Sequence, residues 1–109
     1  MTDQGKKYLS DIFQAIELIE SFTANIKDFD DYSIDLKTQS AVERQLGIIG
    51  EAVNHFDKLN TGVKIENVRQ IAGLRNKLIH SYDIIDPSII WAILRNHIIP
   101  LKQEVAEFL

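Results

Sequence analysis

The chain has 109 residues, 45% of them hydrophobic, and a formal net charge of −4, which fits one domain around one core and leaves too little chain for a second. It contains no cysteine, so a disulfide scaffold, a thiolate metal site and a cysteine nucleophile are excluded. No apolar run approaches the roughly 20 residues that cross a bilayer, and Met1-Thr2-Asp3-Gln4 opens no apolar leader; the expectation is a soluble, cytoplasmic protein without membrane contact.

From about Lys6 to Lys27 the apolar residues Leu9, Ile12, Phe13, Ile16, Ile19 and Ile26 recur three and four apart, with Asp11, Glu17 and Glu20 between them, the pattern of an amphipathic helix. Phe22 falls beside that stripe and points to a neighbouring helix or subunit. Asp28-Phe29-Asp30-Asp31-Tyr32-Ser33 interrupts the period and reads as an acidic loop. A calcium loop beginning at Asp28 would need glycine at its sixth position and glutamate at its twelfth, where this chain has Ser33 and Gln39. No metal site is expected.

A second helix is predicted from about Leu36 to Leu59, carried by Val42, Leu46, Ile49, Val53 and Phe56. Gly47 and Gly50 lie inside it, each costing about 1 kcal/mol of helix propensity relative to alanine, and close approach of another helix is the compensation they suggest. Asn60-Thr61-Gly62 provides the stop, with Gly62 placed for a left-handed cap. The third helix starts near Glu66 or Asn67, buries Val68, Ile71, Ala72, Leu74, Leu78 and Ile79, and ends between His80 and Asp83. Asp86-Pro87 then restarts the chain, as a cap followed by a first-turn proline. Ile89, Ile90, Trp91, Ile93, Leu94 and Ile98 give a helix apolar over much of its circumference, and Pro100 should kink or restart it. The fold expected is all-α, an up-and-down bundle of four to five helices. The apolar residues around Trp91 and Phe22 suggest a homodimer.

Chemistry concentrates in Arg75-Asn76-Lys77-Leu78-Ile79-His80-Ser81-Tyr82. Residues 64–80 hold four Lys/Arg against one Asp/Glu, while 1–63 hold six against eleven and 81–109 two against four, so the motif occupies the one locally basic stretch of an acidic chain. On a helix Arg75 and His80 would point about 140° apart, whereas Asn76 and His80 share a face. Either the backbone turns His80 back toward Arg75 at the helix end, or two copies in a symmetric dimer bring two motifs to one cleft. With no cysteine, metal cluster or phosphate loop, phosphodiester transfer on RNA suits these groups. An imidazole exchanges a proton with a 2′-hydroxyl or a leaving oxygen, a guanidinium grips phosphate oxygens, and Asn76 can orient His80.

With Asn76 after Arg75 and Tyr82 two past His80, this stretch resembles the R-x4-6-H signature of the HEPN superfamily in its R-x4-H-x-Y form, that of the HepT-like family. Ile48 to Ala52 in the second helix, Leu74 to Asp83, and Ile-Asp-Pro before Trp91 extend the resemblance. It implies a homodimeric, metal-independent endoribonuclease with no cofactor, the toxin of a toxin–antitoxin pair whose antitoxin is a minimal nucleotidyltransferase. By that resemblance Arg75 and His80 are the catalytic pair, Asn76 supports them, and Tyr82 is the residue that receives AMP. Lys77 and Arg69 are candidate contacts to the RNA backbone, and Glu51 is either a partner of Arg75 or Lys77 or an exposed carboxylate. The alternative is a non-catalytic helical partner of a nucleotidyltransferase that holds phosphate or substrate in the same cleft.

Overall fold

Most helices begin where a short polar side chain accepts amides that their first turn leaves free. The computed structural model describes residues 1–80 and 85–109, and of Ile79 and His80 the backbone alone. Helix α1 (Asp3–Phe22) is capped by Thr2, whose hydroxyl accepts the Gly5 amide at 3.1 Å. Helix α2 (Phe29–Ile34) is capped by Asp28, which accepts the Asp31 amide at 2.9 Å. Asp35 caps α3 (Leu36–Lys58), accepting the Thr38 amide at 3.0 Å and its hydroxyl at 2.7 Å, and these bonds hold its carboxyl below the usual range. Helix α4 (Val68–His80) follows a loop; α5 (Pro87–Asn96) is capped by Asp86 and has Pro87 in its first turn; α6 (Ile98–Ala106) ends the described elements.

Among the described residues six helices therefore replace the four to five expected. The acidic segment predicted as a loop is α2, because Asp28 serves it as a cap rather than as part of an open loop, and because Tyr32 on its inner side is wholly buried. Pro100 makes the other extra helix. Its ring would strike the Asn96 carbonyl in a continuous helix, and α5 ends at Asn96; in α6 Pro100 sits in the first turn, where an amide hydrogen is not needed. The first helix also stops at Phe22, short of Lys27. The left-handed turn that ends α3 is taken by Asn60 (φ 52°), with Gly62 (φ 85°) supplying another two residues on.

The core lies between α1, α3 and α6. Leu9, Ile12, Ile16 and Ile19 meet Val42, Leu46, Ile49, Val53 and Phe56, and Ile90, Ile98, Leu101 and Val105 close the other side. Helices α1 and α3 run antiparallel, since Tyr8 near the start of one stacks on His55 near the end of the other, with ring centroids 5.4 Å apart. Lys102 of α6 reaches back to Glu20 of α1 at 2.6 Å. Trp91, expected on an outer face, is half-buried and covered within the chain by Tyr32 on α2 and the Arg95 guanidinium. Phe22 stays exposed.

Helix α4 is held differently. Its one extensive partner is α3. Val68, Ile71, Ala72, Leu74 and Leu78, the side expected to be buried, are each only half-buried; the side chain of Ile79 lies outside the described residues.

Candidate active site

Gly50 sets where Arg75 sits. A methyl group on Gly50 would overlap the Cβ of Arg75, come within 3.1 Å of its Cγ, and lie 3.0 Å from the Ile71 carbonyl oxygen. The absence of a side chain there lets α4 lie against α3 at the turn carrying Arg75. Gly47, paired with Gly50 in the sequence reading, plays no such part: a Cβ on it would meet no atom within 4 Å.

Pinned at its base, Arg75 is half-buried. Its Nη1 donates to the Asn76 Oδ1 at 3.2 Å. Its Nε is buried and has no hydrogen-bond partner among the described residues. Asn76 thus engages Arg75; the His80 side chain, which the sequence reading has Asn76 orient, lies outside the described residues.

Helix α4 is unbroken from Val68 through His80, so positions 75 and 80 stand about 140° apart around its axis. No turn of the backbone intervenes between them. The side chain of His80 and the whole of Tyr82 lie outside the described residues. Asn76, Lys77 and Arg69 are exposed, and positions 69, 73, 76 and 80 recur along the outer side of α4.

Glu51 takes the exposed one of its two expected places. Although it follows Gly50, the next position on a helix is turned by about 100°, which sends it away from α4 toward α1. There its carboxylate lies 3.6 Å from His55 Nε2, in a shallow cleft with Lys7, Tyr8 and Asp11. Among the described residues it forms no ion pair with Arg75 or Lys77.

Glu43, farther back on α3, is half-buried. It precedes Gly50 by seven residues and so lies on the same side of α3. Burial pushes its carboxyl above the usual range. The buried Tyr32 hydroxyl is also raised, by its own burial first and then by the charge of Glu43. Among the described residues no three His, Cys, Asp or Glu side chains gather where a metal could be held.

A family model described as ribonuclease HepT-like matches residues 12–108. The chain belongs to that family. This HepT-like chain is 45% identical over 106 residues to the "Probable ribonuclease HepT" of Thermococcus cleftensis, covering 94% of this chain and 93% of that protein. It is 38% identical to the "Putative RNase MJ0127" of Methanocaldococcus jannaschii, over 95% of this chain and 86% of that one. A third relative, the "Putative RNase TTE0752" of Caldanaerobacter subterraneus, is 36% identical over 95% and 93%. No solved structure matches. The ribonuclease names attach to relatives matched over nearly their whole length, so the HepT-like domain accounts for most of each of those three proteins.

Proposed function

We propose that this chain is a metal-independent endoribonuclease that works as a homodimer, with Arg75 and His80 as its catalytic residues and the site built from two copies of the motif. The observation that carries the reading is the unbroken α4: positions 75 and 80 of one chain face different ways. A two-fold axis beside the outer side of α4 brings Arg75 of each copy toward His80 of the other. It also doubles the one basic stretch of an acidic protein, which concentrates positive potential where RNA must bind. Family membership and the ribonuclease names of the relatives support the reaction class.

In the reaction, the imidazole of His80 takes the proton of an RNA 2′-hydroxyl, and that oxygen attacks the adjacent phosphorus. The bond from phosphorus to the 5′-oxygen breaks, and the leaving oxygen takes up a proton. The products are a 2′,3′-cyclic phosphate and a 5′-hydroxyl. Arg75 stabilises the charge gathering on the phosphoryl oxygens. Asn76 holds the guanidinium from the side. Arg69 and Lys77 bind flanking phosphates.

We further infer that the chain is the toxin of a pair and that its partner antitoxin is a minimal nucleotidyltransferase. The Tyr82 phenol oxygen attacks the α-phosphorus of ATP and pyrophosphate leaves. Each phosphodiester added beside Arg75 competes with RNA for the guanidinium.

The decisive experiment mixes two inactive variants. Arg75→Ala and His80→Ala, each purified and incubated with single-stranded RNA in excess EDTA, should each lose cleavage. Unfolded and refolded together, they form mixed dimers in which one of two composite sites is intact, restoring about a quarter of wild-type activity if assortment is random. No recovery on mixing would place each site within one chain. No cleavage by the wild type on any RNA would favour a non-catalytic partner of the nucleotidyltransferase.

A further inference from the structure

A groove of about 630 Å³ runs between α4 on one side and α5 and α6 on the other, with α3 as its floor. Its apolar lining comes from Leu46 and Ile49 of α3, Ile71 and Leu74 of α4, and Ile93 and Leu101 beyond. Its rim carries Glu66, Glu104 and Glu107, and no Lys or Arg is among its described lining residues. Glu104 is fixed there by accepting the Glu66 amide at 3.0 Å, which ties the loop before α4 to α6 across one end of the groove.

We propose that this groove is a docking site for a helical segment of a partner protein that is apolar on one face and bears Lys or Arg along its flanks. Two features select that occupant. Among the described helices only α3 packs extensively on α4, whose apolar side is left half-buried, so a further apolar surface belongs against it. Three carboxylates at the rim outnumber His97, the one ionisable base among the described lining residues, which favours a basic segment and disfavours RNA or an acidic one. A trough with aliphatic walls and charged edges is the shape an amphipathic helix fills, with anchors three and four residues apart. This surface is separate from the exposed Arg69, Asn76 and Lys77, none of which lines it. It stands on the groove alone and does not depend on whether the chain cleaves RNA.

The test uses two synthetic helical peptides of about 18 residues, roughly 27 Å long, with one leucine face in common and either lysine or glutamate on the flanks. Each is titrated into isotopically labelled full-length protein and followed by methyl NMR. The lysine peptide should bind at least about tenfold more tightly, weaken with added salt, and shift the methyl signals of Ile71, Leu74, Ile93 and Leu101 first. Replacing Glu66→Lys and Glu107→Lys together, at two exposed positions that leave the core untouched, should remove that preference while the thermal transition is retained. The proposal is overturned if both peptides bind alike, if the shifts map outside the groove, or if the charge reversal leaves binding unchanged. It is equally overturned if neither peptide binds while the protein self-associates through these same methyls, which would make a second copy the occupant.

Discussion

Replacing Gly50 with alanine isolates the contact that places Arg75. In a helix interior the change gains about 1 kcal/mol of propensity, but the new methyl overlaps the Arg75 Cβ and presses on the Ile71 carbonyl 3.0 Å away. Neither neighbour is the free end of a side chain, so α4 must move off α3, at a cost of about 1 to 3 kcal/mol for overpacking. Gly47→Ala is the matched control, since it gains the same propensity in the same helix and meets nothing within 4 Å. Propensity cancels between the two variants, so Gly50→Ala should be about 1 to 3 kcal/mol less stable than Gly47→Ala, a gap of at least about 4 °C in Tm for a domain of this size. Urea and thermal denaturation followed by circular dichroism measure it. Cleavage measured well below either transition should fall in Gly50→Ala and stay unchanged in Gly47→Ala, because only the first displaces Arg75. Equal stabilisation by both substitutions would refute the close approach and, with it, the account of how Arg75 is held.

Gly73 lies on the outer side of α4, and a Cβ there meets no atom within 4 Å; Gly73→Trp should leave the thermal transition in place yet abolish cleavage and dimerisation, read by light scattering, if two α4 helices face one another. Incubation with the cognate nucleotidyltransferase and ATP should add AMP in units of one phosphodiester, seen by mass spectrometry, and Tyr82→Phe should remove all of it; equal adducts on both would move the modification elsewhere. The Tyr32 hydroxyl is buried without a partner among the described residues, so Tyr32→Phe should raise stability to urea by about 1 kcal/mol, and a comparable loss would show that the hydroxyl is satisfied. Glu43 has its carboxyl raised by burial in the folded state, so its contribution to stability is complete below the unfolded value of about 4.3 and lost as pH rises through the folded one. Glu43→Gln should therefore match wild type near pH 4 and exceed it at pH 7, by less than about 1 kcal/mol because solvent screens the group; a larger gap at acid pH than at neutral pH would reverse the sign.

What could be read from the sequence divides along physical lines. The periods of α1 and α3 are long and regular, and their apolar residues form most of the core, because burial on one face writes itself into spacing. Asp86-Pro87 marked the start of α5 for the same kind of local reason. The short α2 escaped because one turn and a half offers no period to detect, and its signal was a cap at Asp28 that equally suits a loop. Gly50 and Gly47 look alike in sequence; only the neighbouring helix distinguishes them. Glu51 stayed open between facing the motif and facing solvent because adjacency to a packing residue says nothing about facing it, and a turn of about 100° puts it on the other side of α3. The pairing of Arg75 with Asn76 lay beyond reach for a different reason, since it depends on the rotamer that the α3 surface imposes on Arg75.

Helix α4 separates two surfaces of opposite sign. Its outer side carries Arg69 and Lys77 exposed, and its inner side forms one wall of a groove edged by Glu66, Glu104 and Glu107. A polyanion is attracted to the first and repelled by the second, and a basic helix the reverse, so the two kinds of ligand need not compete for the same helix. They are nevertheless linked through its packing. The base of Arg75 is set by the fit of α4 against α3 at Gly50, and a ligand that fills the groove adds contacts to Ile71 and Leu74 within about one turn of it. Any displacement of α4 by such a ligand would be transmitted to Arg75, and the size of that effect is bounded by the ligand's preference for one position of α4 over another.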